Sequence, residues 1–178
     1  MVEAYLKLLE VGYYEVKFAF EGLADEHVWK RPAAGLLSVG ELAGHVAFWE
    51  AVRLAGEGDD PEKCRVSSPL IDPRFRYLPE TLATPPSERH LAMTAEQVCG
   101  DLVRVHEEAV AQFKALNPDL ESPAPGYGPP PEDGHEVLGY GPNDTYGMFL
   151  EYLVFHIAYH TGQMYSARHL LGEETPDN

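Results

Sequence analysis

The sequence predicts an all-α protein, a four-helix bundle with long proline-rich connections. Three observations carry that expectation. Four segments repeat apolar residues at spacings of three and four. Two of those segments open on a capping box, and stretches suggestive of strands are few and short, which argues against an α/β fold. The chain has 178 residues, 44% hydrophobic and 24% charged, enough for one domain to bury a core without disulfides. That domain is expected over residues 1–172, with a frayed, disordered tail at 173–178.

The first helix runs from about Val2 to Glu21, with Leu6, Leu9, Tyr13 and Val16 or Phe20 on one face. Leu23 to Pro32 reads as a connection, because Arg31 precedes a proline and Gly35 follows. Ser38 and Glu41 form the capping box that begins the second helix, in which each side chain satisfies an unpaired backbone N–H. This helix carries Leu42, Val46, Trp49 and Val52 to about Ala55, before turn-forming residues from Gly56 to Pro61.

Prolines 69, 73, 79, 85 and 86 deny residues 57–92 any long regular element. An unstructured loop of that length is uncommon in a compact domain. An ordered excursion or lid is therefore expected, pinned over the bundle by Phe75, Tyr77 and Leu78, with room for a short helix. Thr94 and Gln97 repeat the capping box, and Val98, Leu102, Val105, Ala109, Phe113 and Leu116 mark one face of a third helix that Asn117-Pro118 ends. A second proline-rich connection spans 118–143. After Asn143 or Asp144 as N-cap, a fourth helix runs through Met148, Tyr152, Phe155, Tyr159 and Met164 to about Leu171, stopping at Gly172.

With 29 acidic residues against 13 Lys and Arg, the formal net charge is -16. A field of that sign repels phosphate backbones and anionic lipid, so neither nucleic acid nor membrane is an expected partner. No stretch is long and apolar enough to span a bilayer. The two cysteines, Cys64 and Cys99, are too few for a disulfide framework and suit a cytoplasmic setting. Cys99 is expected as a small buried residue of the third helix, and nothing obvious activates Cys64.

His156 and His160 stand four residues apart on the fourth helix, so both project from one face and can reach a shared ion. Alone, that spacing serves packing as often as metal binding. The surrounding segment is heavily aromatic, however, and buried imidazoles need partners. A metal would use one nitrogen of each ring while the other donates to a carbonyl or carboxylate that fixes the tautomer. His45, between Leu42 and Trp49, is the best third ligand, with His106 as the alternative.

Gln163 shares the face of His156 and His160, where it could order a water, touch a substrate or serve as a core hydrogen bonder. Arg168, near the same face, could bind an anionic substrate group or pair with an acid. Glu41 and Trp49 flank His45 as cap and core residue, or as supporting carboxylate and pocket wall. Trp49, Tyr146, Phe149 and Tyr152 could line an apolar pocket, although core packing suits most of them. His27, His90, His106, His135 and His169 are expected at the surface.

The chain resembles the DinB-like (DinB/YfiT-like) superfamily of metalloenzymes. The likeness rests on the opening helix, on RPAAGLLSVGELAGHVAFWE and on FHIAYHTGQMYSARHLLGE. It implies a four-helix bundle, often a homodimer, and a metal site on His45, His156 and His160. The ion would be divalent, zinc or nickel foremost. Three neutral imidazoles leave a coordination position open, which separates a catalytic metal from a closed structural one. Some members of the family are transferases or isomerases that use small cellular thiols. Metal-dependent transfer of a thiol to an electrophilic small molecule is accordingly the leading expectation. Hydrolysis of a small molecule is the second, although no acid lies between His156 and His160 as in HExxH. A non-enzymatic metal-binding bundle is the third.

Overall fold

The computed structural model describes residues 2–57, 60–76, 84–125 and 144–176. Its elements are α1 (Val2–Phe20), α2 (Asp25–Val28), α3 (Val39–Ala55), α4 (Glu88–Leu91), α5 (Ala95–Leu116) and α6 (Tyr146–Leu170), with 3₁₀ turns at Pro61–Lys63 and Pro73–Arg76. The described residues are mostly helical and contain no strand, only an isolated antiparallel bridge between Pro123 and Thr145. No helix among them is long and apolar enough to cross a membrane.

Local chemistry sets the ends of the long helices. The Ser38 hydroxyl accepts the Glu41 N–H and the Glu41 carboxylate accepts the Ser38 N–H at 2.9 Å, so the capping box of α3 is closed on both sides. Thr94 and Gln97 do the same for α5, and Asn117 ends that helix in the left-handed region at φ 45°. The N-cap of α6 is Thr145, whose hydroxyl accepts the Met148 N–H, in place of the expected Asp144. The Asp144 carbonyl instead accepts the Ala124 N–H at 2.8 Å. Asn143, the other expected cap, lies outside the described residues.

α1 packs against α5 and α6, and α3 packs against the same two helices from the other side. α3 is buried along its whole length except at His45, so it is not the one-faced helix its apolar spacing suggests. The excursion after it is the reason. Phe75 is fully buried and its ring lies where only a glycine leaves room: a Cβ on Gly44 would come within 2.6 Å of it. The excursion is tied down elsewhere by Ser68 donating to Asp101, by Arg104 donating to the Ser67 carbonyl at 3.0 Å, and by His90 Nε2 bonding the Pro69 carbonyl at 2.7 Å. Phe75 thus pins this segment as expected, while Tyr77 and Leu78 lie outside the described residues.

The chain beyond Gly172 is anchored further than a frayed tail from residue 173 would allow. Glu173 accepts from Arg168 Nε at 3.1 Å and from the Ala24 N–H at 3.1 Å, and Thr175 is buried.

Candidate metal centre

Two helices and one turn build the site. α3 contributes His45, α6 contributes His156 and His160 one turn apart, and the Pro73–Arg76 turn contributes a backbone carbonyl. One nitrogen of each of the three rings lies within 4.8 Å of the others. Nε2 of His45 and Nε2 of His156 are 3.1 Å apart. Two nitrogens bound at about 2.0–2.1 Å to one tetrahedral ion lie about 3.4 Å apart, so the rings are close to ligand spacing without rearrangement of the helices.

Two of the rings have fixed tautomers. His45 donates from Nδ1 to the Phe75 carbonyl at 2.8 Å, which leaves Nε2 with its lone pair facing the site. His160 Nδ1 donates to Gln163 Oε1 at 2.7 Å, and the Gln163 amide in turn donates to the Tyr159 hydroxyl at 3.2 Å. Gln163 therefore orients a ring. Nδ1 of His156 is buried with no hydrogen-bond partner among the described residues, so the protein alone does not satisfy that imidazole.

Burial, helped by the charges of His160 and Arg53, holds His45 down at about 3 against the opposing bond to Phe75. Burial likewise pushes His156 well below the usual imidazole range, reinforced by His45, His160 and Arg53. His160 is lowered by burial too, with Gln163 opposing. Three neutral imidazoles with converging lone pairs are the donor set a borderline divalent ion requires, and the residues fit such an ion.

Gln163, the partner of His160, also lines a cavity of about 240 Å³ together with Leu36, Leu37, Leu42, Ala167 and Leu170, among others. An aromatic wall adjoins two of the rings. Trp49 meets His45 edge-on at 6.4 Å, and Tyr152 lies 5.6 Å from His156. Phe149 is buried close by, whereas Tyr146 packs on Phe113 at 6.0 Å. Arg53 sits in this wall, its guanidinium 5.1 Å from the Trp49 ring centroid, 4.6 Å from Tyr152 and 5.5 Å from Phe149.

Other residues singled out by sequence are used elsewhere. Arg168 is 1% exposed and donates to the carbonyls of Ala19, Glu21 and Glu174, tying the end of α6 to the end of α1. Glu41 is a cap that also accepts both Nε and Nη2 of Arg31, at distances from 2.5 to 3.0 Å. His106 does not join the metal cluster and is not at the surface. It is buried, with Nδ1 2.7 Å from Glu50 Oε1, and it stacks on Tyr13 at 3.8 Å. The Tyr13 hydroxyl donates to the other oxygen of Glu50. His90 is also buried, because it caps α4 through Ser87 and holds Pro69. His27 pairs with Glu173 at 2.6 Å and His169 reaches Thr175 at 3.1 Å, while His135 lies outside the described residues. Both cysteines are half-buried, and burial pushes both thiols up, which argues against reactive thiolates.

A family profile described as DinB superfamily matches residues 8–164, a span that includes all three clustered histidines. The chain belongs to the DinB superfamily. No curated protein and no solved structure matches it. Within this DinB chain, sequence reasoning found all three converging rings but did not find the Phe75 carbonyl or Arg53. The first is a backbone atom 30 residues from His45. The second was legible only as a helical position two turns from His45, with no signal that it faces the site.

Proposed function

We propose that this DinB chain is a four-helix bundle of the DinB type that holds one divalent ion, zinc or nickel, on His45, His156 and His160. We propose further that it transfers a small cellular thiol to electrophilic small molecules. The observation that carries the reading is the convergence of three neutral imidazole nitrogens with no carboxylate in the cluster among the described residues. When bound, a divalent ion at such an open site supplies a Lewis acid that favours the thiolate over the thiol. In the transfer, sulfur forms a bond to the electrophilic carbon, the bond to the leaving group breaks with its electron pair, and the thiol proton passes to solvent.

The protein's own residues have separable roles. Phe75 and Gln163 hold His45 and His160 with their donor nitrogens turned inward. The cavity of about 240 Å³ beside Gln163 is apolar enough to receive the carbon skeleton of a small electrophile. Hydrolysis is the weaker reading, because the buried carboxylates closest in sequence to His45 are committed: Glu41 to its cap and Arg31, Glu50 to Tyr13 and His106. A cytoplasmic setting, a small-molecule substrate and a homodimer belong to the same proposal. Exposed Leu8, Val11 and Tyr14 on α1 and Phe155 and Tyr159 on α6 offer apolar surface for self-association.

The deciding experiment is metal analysis of untagged protein by mass spectrometry, followed by thiol consumption assays with an alkylating electrophile. About one equivalent of metal, together with thioether formation that chelation abolishes, is the expected result. Water-derived product without thiol would favour hydrolysis. Metal without either activity would favour the non-enzymatic bundle.

A further inference from the structure

Arg53 is an unusual residue to find where it is. It lies on the central helix, is 5% exposed, and has its guanidinium in contact with three aromatic rings. Helical side chains lean toward the N-terminus of their own helix. From position 53 that lean carries the guanidinium over Trp49, one turn nearer to His45. Tyr152 fixes its position from the facing helix, since the same ring lies 4.6 Å from the guanidinium carbon and 5.6 Å from the His156 ring. Trp49 links the two groups in the same way, because its ring also meets His45. The charge of Arg53 is felt by both His45 and His156.

Aromatic contacts act on the faces of a guanidinium and restrict its rotation. Its N–H donors lie along the edge, in the ring-parallel plane, where a carboxylate is recognised with two bonds. A cation held this way in a water-poor wall attracts an anion more strongly than a surface arginine does. We propose that Arg53 is the anion-recognition residue of the three-histidine site, selecting a thiol co-substrate that carries a carboxylate about one helical turn, ~5.4 Å, from its sulfur. This deepens the proposed function and rests on it for the thiol. The recognition of a carboxylate beside the histidines stands on Arg53 and its aromatic neighbours alone. Sulfur would face the histidine nitrogens, the carboxylate would face Arg53, and the electrophile would enter from the cavity beside Gln163.

The test compares matched probes on the full-length protein. Cobalt-loaded wild type is titrated with 4-mercaptobutanoate, whose extended chain places the carboxylate one helical turn from the sulfur, and with its neutral partner 4-mercaptobutanol, read by the thiolate-to-cobalt charge-transfer band. Metal-free protein is titrated with benzoate and with benzamide, read by tryptophan fluorescence. Wild type should prefer each carboxylate over its neutral partner by about tenfold or more, the range expected of hydrogen bonds to a charged group. Arg53→Gln should erase both preferences while leaving cobalt content and 4-mercaptobutanol affinity unchanged. Arg53→Lys, which keeps the charge and loses the fork, should fall between, and it decides the matter if the glutamine variant does not fold. Equal affinity for charged and neutral probes in wild type, or a preference that survives in a folded Arg53 variant, overturns the proposal. If wild type takes up no metal, the metal-centre reading fails by itself, and the benzoate and benzamide titrations still decide the role of Arg53.

Discussion

Two buried histidine clusters border α3, and they differ in what the protein leaves undone. Around Glu50, Tyr13 and His106 each bond one carboxylate oxygen, and the two rings stack on each other. Around His45, three rings turn nitrogens toward one another, and Nδ1 of His156 has no partner among the described residues. The first arrangement contains its own counter-group and is complete as built. The second holds its rings in metal-free form by one ring-to-ring hydrogen bond, between Nε2 of His156 and Nε2 of His45 at 3.1 Å, with no carboxylate among the described residues of the cluster. A cation in place of that proton would engage all three rings. Burial of histidine therefore does not distinguish structure from function in this chain; the partner of the ring nitrogen does.

That contrast can be broken at either end. His45→Ala should reduce metal affinity by more than the about 100-fold typical of losing an outer hydrogen bond to a ligand, because a ligand itself is lost. Metal content after dialysis against a weak chelator measures it, and retention of one equivalent would remove His45 from the site. Glu50→Ala should do the reverse. Two buried hydrogen bonds disappear and their donors are left unsatisfied, so stability in urea should drop by about 3 kcal/mol or more, with metal content per folded molecule unchanged.

Smaller changes sharpen the comparison. Gly44→Ala forces the Phe75 ring away from α3 and with it the carbonyl that holds His45. Gln163→Leu removes the acceptor from His160. Each should weaken metal binding about 10-fold, the lower end for partners behind a ligand, as read by competition with a chromophoric chelator. Unchanged affinity in both would show that ring orientation comes from packing alone.

The smallest effect concerns acid. In the metal-free protein His45 is depressed from 6.5 to about 3, and His156 and His160 are depressed as well. The unfolded chain therefore binds more protons than the folded one below pH 6.5. Stability from these rings is present above that value and declines as pH falls toward 3. His45→Ala should flatten the slope of urea stability between pH 6.5 and 4.5 by a measurable fraction, on the order of one proton at most. An unaltered slope would mean that acid sensitivity arises elsewhere.

How much of this was legible in the sequence depended on the range of the interactions. The capping boxes at Ser38 and Thr94 are confined to four residues, and the starts of α3 and α5 follow from them directly. The ligand pair His156 and His160 is also local, and His45 was reached through its apolar setting and the family motif. What escaped was long-range. His106 looked exposed beside charged residues on its own helix, but its partner Glu50 comes from α3 and its stacking partner Tyr13 from α1. His90 has the sequence surroundings of a loop residue, because nothing local announces that its Nε2 will meet Pro69. Arg168 shared a helical face with the ligands on paper, yet three carbonyls near the end of α1 and beyond α6 hold it instead. Spacing gives the direction of a side chain, and only the neighbouring elements decide what it meets.

The burial of α3 on all sides has a consequence for how this chain can be altered. A helix packed on only one side offers about half its positions to change without cost, but α3 has a single position that is not buried. Engineering of specificity would therefore find little freedom on the helix that carries His45 and Arg53. It would find more in the lining contributed by α6 and by the segment around Leu36, which can be varied without disturbing the innermost layer. A saturation library would reveal this as a band of reduced stability from Val39 to Ala55, within which position 45 is the least sensitive for folding and the most sensitive for metal.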